Sequence, residues 1–217
     1  MNLKTPRDPQ SNVTKFMRGR NDASTRNASY DHCFNYFREH FERHQVNDLA
    51  NGAQLQVSCL HLGYYLASWG MFRGKAKLLQ HSSAALVPVI ELISKAPKAI
   101  WMLDVSDYDE VSIRQILEFK HTLGETVPGG RSETLTSKIM LSVFGCVPAF
   151  DRYFREGSGL SKFDENSLLK IRDYYRGNQD LIERCRSKTL DFDGRVLERR
   201  YTQAKVIDMI FFIEGSK

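Results

Sequence analysis

A chain of 217 residues with 41% hydrophobic, 11% aromatic and 26% charged residues can bury about 70% of the surface its unfolded form exposes, and such a composition excludes global disorder. A formal net charge of +5, from 31 Lys and Arg against 26 Asp and Glu, is compatible with a polyanionic partner without demanding one. Four scattered cysteines without a CxxC pair, no apolar secretion-signal core and no sufficiently long apolar run predict free thiols, a cytoplasmic location and no membrane partner.

Residues 1–29 carry Lys4, Arg7, Lys15, Arg18, Arg20 and Arg26 against only Asp8 and Asp22, with few apolar residues. Such a segment buries too little surface to offset its ordering entropy, so it predicts a basic polar arm, mobile or draped, for which a solvated tail is a better reading than a phosphate clamp. From residue 30 the pattern is helical. Phe34, Phe37 and Phe41 recur at spacings of three and four, the signature of an amphipathic helix. His40 and His44 share that helix at ligand spacing, but no third ligand accompanies them, and a structural or surface role is the better reading.

Leu55, Cys59, Leu62, Leu66 and Trp69 fall on one face of the next helix, widened by Tyr64, Tyr65 and Met71, so this helix is expected in the middle of the bundle. It runs into WGMFRGKAK, where Gly70 and Gly74 flank Arg73 and precede Lys75. Glycines beside cations can approach a phosphate, but the strand and GK[ST] ending of a P-loop are absent; an interhelical turn with a basic rim is the plainer expectation. Pro88 places the start of a further helix near Val87, and Asp107, Asp109 and Glu110 mark the first turn of one over 107–121.

Two more helices are expected, over about 165–186, with Asp164 as N-cap, and 195–213, with Leu197, Tyr201, Ala204, Ile207 and Phe211 as a core stripe. Between them LDFDGRV reads as a turn; Asp191 and Asp193 resemble the start of a calcium loop, but Thr202 stands where the loop needs a glutamate, and no metal site is expected. Without long alternating strands or repeats, the fold is expected to be all-α, a single compact orthogonal bundle of about seven to nine helices over 30–217 behind the arm.

One segment resists a purely structural reading. In LTSKIMLSVFGCVPAFDRYF, Lys138 sits in a largely apolar helix with Leu135 and Leu141 as its neighbours three residues away. A lysine there either snorkels outward or is desolvated, and desolvation makes an amine nucleophilic. Asp151 follows a Pro-containing break at the first turn of the next helix. It either caps that helix or, if the terminus folds back, faces the amine.

The order VPGGRSETLTSK, apolar helix, VPAFD resembles the end of the helix-hairpin-helix DNA glycosylase superfamily, in which a glycine hairpin precedes a lysine-bearing helix and a P-x-x-D element supplies an aspartate. The resemblance implies that Lys138 attacks the sugar C1′, that Asp151 stabilises developing positive charge or moves protons, and that Gly129 and Gly130 present backbone N–H groups to DNA phosphate. No iron–sulfur cysteine cluster follows, and no cofactor is expected. A flipped nucleotide needs a stacking surface, for which Trp69, Tyr153 and Phe154 are candidates, and cations for its phosphates, for which Arg73, Lys75, Arg131 and Arg152 are candidates; for Trp69, core packing is the favoured alternative. The resulting expectation is a DNA-interacting, glycosylase-like protein. A non-enzymatic scaffold, binding a protein or a nucleic-acid backbone through KIRDYYRGNQDLIERCR, is the alternative.

Overall fold

The structure is a computed structural model that describes residues 3–74 and 76–217; Lys75 lies outside the described residues. The fold is mostly α. Helix starts follow from capping residues in the sequence. Asp8 caps α1 (Pro9–Met17), Asp109 forms a reciprocal box with Ser112 at α6 (Glu110–Thr126), and Ser132 accepts from the Leu135 amide at α7 (Glu133–Val143). Asp151, Asp164 and Thr202 do the same for α8 (Arg152–Ser158), α9 (Glu165–Gly177) and α11 (Gln203–Gly215). Each side chain satisfies an amide that the first helical turn leaves without a partner. The remaining helices are α2 (Ala28–Glu42), α3 (Gly52–Ser68), α4 (Val87–Ser94), α5 (Lys98–Met102) and α10 (Gln179–Cys185).

The described residues therefore form 11 α-helices, more than the sequence suggests, for identifiable reasons. The expected helix over 165–186 breaks at Asn178, whose φ of −133° leaves the helical region and separates α9 from α10. The arm also contributes one: α1 is docked, with Val13 4% and Phe16 7% exposed and the Asn12 amide donating to Ile210 O at 3.1 Å. Three apolar or amide side chains on one face suffice to seat a nine-residue helix whose other face is polar. The solvated-tail expectation does not hold for this segment.

Residues 195–200 are not helical either. They form β2 (Val196–Arg200), antiparallel to β1 (Lys188–Leu190). Asp191 Oδ1 accepts from the Asp193 and Arg195 amides and Gly194 adopts φ +80°, a turn that reverses the chain before helix can propagate. The two aspartates of the rejected calcium loop are turn residues.

Two helices form the centre. Every residue of α7 from Leu135 to Val143 and of α11 from Gln203 to Ile213 is buried. Helix α8 crosses α11 at backbone contact: a Cβ on Gly157 would stand 2.0 Å from Phe211 O, and one on Gly215 2.0 Å from Tyr153 O. By contrast α3, expected at the middle, exposes Val57, Leu60 and Tyr64. No helix among the described residues is long and apolar enough to cross a membrane.

Candidate functional site

The two central helices carry charges. Lys138, 3% exposed in α7, donates from Nζ to Asp151 Oδ2 at 2.9 Å. Asp151 is the N-cap of α8, and its other oxygen, Oδ1, accepts from the Phe154 amide at 3.0 Å. The sequence posed helix cap and lysine partner as alternatives; the carboxylate serves as both, one oxygen for each.

The chain before Asp151 is held by one face of α7. Thr134 Oγ1 donates to Phe150 O at 3.0 Å, and Ser137 Oγ accepts from the Phe150 amide at 2.8 Å. Residues 134, 137 and 138 are neighbours on a helix surface, so two hydroxyls fix the loop and the ammonium meets its carboxylate. From the other side, Asp208 Oδ1 accepts from the Ala149 amide at 3.1 Å. Positions of this kind are stiff, because each buried polar atom has a partner it would lose on moving.

Asp208 belongs to a second buried pair, Lys205 Nζ to Asp208 Oδ2 at 3.1 Å, on α11. Burial pushes the Lys205 amine down and the Asp208 carboxyl up, and each charge partly counters the shift of the other. The Lys205 amine lies 4.4 Å from the ring centres of Phe16 and Tyr30 and 5.7 Å from that of Trp69; the Lys138 amine lies 5.6 Å from Trp69. Ring faces are negative, so three of them offset part of the cost of burying these cations. Two amines and two carboxylates thus meet around one indole.

The sequence reading missed Lys205, Asp208, Phe16 and Tyr30 as parts of this site. A signal existed: Lys205 and Asp208 are three apart in a helix otherwise built from Val206, Ile207, Met209 and Ile210, the same anomaly that singles out Lys138. Phe16 and Tyr30 carry no such mark.

Of the other expected site residues, Trp69 is in the cluster. It is 9% exposed, donates from Nε1 to Ser29 Oγ at 3.0 Å, and lies parallel to Phe16 with ring centres 5.7 Å apart. Arg26 places its guanidinium 4.5 Å from the same ring. Tyr153 is 38% exposed and packs edge-on against Phe212, which also touches Trp69. Phe154 is fully buried on Phe211 and Phe150, which removes it as a stacking surface. Arg152 is exposed and paired with Glu156.

Gly129 and Gly130, in the turn before α7, have φ near +80°, the left-handed conformation glycine adopts without penalty. Arg131 turns back to pair with Glu125 of α6. Gly70 and Gly74 are likewise left-handed, and the exposed Arg73 folds over Gly70, as an interhelical turn would have it.

The segment offered for a scaffold role exposes Arg176 and Arg184, but not its tyrosines. Tyr175 is 5% exposed and bonded to Glu183 and Gln203, and Tyr174 packs on Phe211; these tyrosines are spent in the core. The His40 ring meets Tyr36 O at 2.9 Å, and no group of three or more metal-ligating side chains occurs among the described residues. Comparison of the chain with family models, curated proteins and solved structures finds no match in any of the three.

Proposed function

We propose that this protein binds DNA and removes a base, with Lys138 and Asp151 acting at C1′ of a nucleotide drawn out of the helix. The observation that carries the reading is the 2.9 Å contact of a lysine and an aspartate in the interior, next to an aromatic cluster and downstream of a glycine turn with two left-handed residues. A buried pair is expensive to maintain for stability alone, since apolar side chains of similar size would serve as well. At 2.9 Å the two groups are within the reach over which a proton passes from one to the other.

In this reading Asp151 takes the proton of the Lys138 ammonium. The free amine forms a bond to C1′, the glycosidic bond breaks, and its electron pair leaves with the base. Asp151 returns its proton to the departing base, takes the second proton from the nitrogen and passes it to the ring oxygen as the bond from C1′ to that oxygen breaks, leaving a protonated imine. Water returned to the imine releases the lysine. The exposed Arg152, with Arg26 beside Trp69, are the cations best placed to meet backbone phosphate.

The test is Asp151→Asn, assayed on duplexes carrying deaminated, alkylated or oxidised bases. The amide oxygen can still accept from the Phe154 amide, so the cap survives while the proton acceptor is gone. In the variant shown to be folded, base release is lost and DNA affinity changes less than about threefold, because Asp151 contributes no phosphate contact. Base release at the wild-type rate overturns the assignment.

A further inference from the structure

Both amines are shut in. The side chains of Lys138 and Lys205 are 4% and 3% exposed, so chemistry on a nucleotide requires something to leave. Among the described residues, Phe16 both lies parallel to Trp69, at an interplanar angle of 1°, and forms a wall of the Lys205 enclosure at 4.4 Å. That parallel geometry is the one a nucleobase adopts on an aromatic side chain.

We propose that Phe16 holds the place of a nucleobase on Trp69, and that α1 is a door that swings out to admit it. This rests on the reading of Lys138 and Asp151 as the catalytic pair. The door is lightly latched. Helix α1 buries only Asn12, Val13 and Phe16, and a few side-chain bonds tie it to the body: the Asn12 amide donates to Ile210 O and Glu214, the Asn27 amide donates to Phe16 O, and the Cys185 thiol donates to Gln10 Oε1. It is followed by an exposed turn around Gly19, φ +74°, a hinge of the kind that absorbs large backbone changes.

A second observation concerns Tyr30, which shares the Lys205 enclosure with Phe16. The Tyr30 hydroxyl, in a residue 1% exposed, has no hydrogen-bond partner among the described residues, although its ring faces Lys205. A buried donor without a partner calls for an explanation, and a polar group arriving with the base would supply one. Exchanging a phenyl ring for a base on the same indole replaces like with like, and the exposed Lys15 and Arg18, beside the hinge, offer cations to DNA phosphate as α1 turns away.

Two measurements decide it. The first is amide hydrogen exchange of the wild-type protein, free and bound to a short duplex with one 2-aminopurine·cytosine mismatch. Residues 12–17 should exchange at least tenfold faster in the complex, while α7 and α11 do not; slower exchange of α1 on binding overturns the door. The second is borohydride trapping on an abasic-site duplex, where Phe16→Ala should raise the rate of adduct formation at least fivefold, and Phe16→Ala in a folded protein leaving the rate unchanged or lower overturns the proposal. If Phe16→Ala does not fold, the exchange measurement on the wild type decides alone. Opening of α1 with no adduct in any variant would sink the catalytic reading and leave the door standing; an adduct with α1 protected would do the reverse.

Discussion

Lys138 and Asp151 stand 2.9 Å apart with 4% and 12% of their side chains exposed, and the carboxylate that neutralises the amine also starts helix α8. One contact therefore joins the interior of α7 to the placement of the next element. Removing either partner leaves the other charge uncompensated, so Lys138→Ala and Asp151→Ala should each destabilise the fold by about 3–5 kcal/mol. The double variant should cost less than the sum by at least about 1 kcal/mol. Denaturant unfolding of the four proteins reads this directly, and strict additivity would mean that the pair is not formed.

The α8 crossing of α11 admits no side chain. A Cβ on Gly157 or Gly215 would overlap carbonyl oxygens at 2.0 Å, and backbone atoms of two packed helices cannot give way as a flexible side chain can. Gly157→Ala and Gly215→Ala should each lower the melting temperature by more than about 10 °C, taking several kcal/mol of destabilisation from overpacking. A shift within a degree or two of wild type would mean that the helices do not approach this closely.

Asp104 offers a titration. It accepts from the amides of Val105, Gln203 and Ala204, and burial nevertheless pushes its carboxyl up to about 6, against the pull of those amides and of Arg186. Between the ordinary aspartate value and about 6, the folded protein holds a proton there that the unfolded chain has released. The group therefore contributes stability that is full below the ordinary value and is lost as pH rises through about 6. A carboxyl-carbon NMR titration should give Asp104 a midpoint near 6; a midpoint at or below the ordinary value contradicts this.

The thiols should be silent. Burial pushes Cys33 and Cys146 up to about 12, and all four cysteines are buried and free. Since the thiolate is the reacting form, Ellman's reagent at neutral pH should leave Cys33 and Cys146 unlabelled while the denatured protein is labelled completely. Rapid labelling of either would show that the α2 and α7 region opens.

Much of this architecture is legible in the sequence, because local chemistry sets it. Ser132, Asp151, Asp164 and Pro88 mark helix starts that the structure has at or within a residue of the expected place, and Lys138 stands out against an apolar helix. What escapes is set by distant partners. A basic, polar stretch hides α1 because Val13 and Phe16 find their burial on α11 and Trp69, far along the chain. Asp208 holds the Ala149 amide from 59 positions away, and only the folded chain brings Lys205 to Trp69. Residues 196–200 follow turn chemistry at Asp191 and Gly194 instead of the apolar stripe that suggested helix.

The most direct measurement is borohydride trapping on an abasic-site duplex with the wild type, Lys138→Ala and Lys205→Ala, each first shown to be folded. An imine between a lysine amine and the sugar C1′ is reduced to a stable secondary amine, so the adduct identifies the nucleophile. The account predicts an adduct with the wild type that is absent in Lys138→Ala and retained in Lys205→Ala. No adduct with the wild type, or one that survives the loss of Lys138, would contradict it.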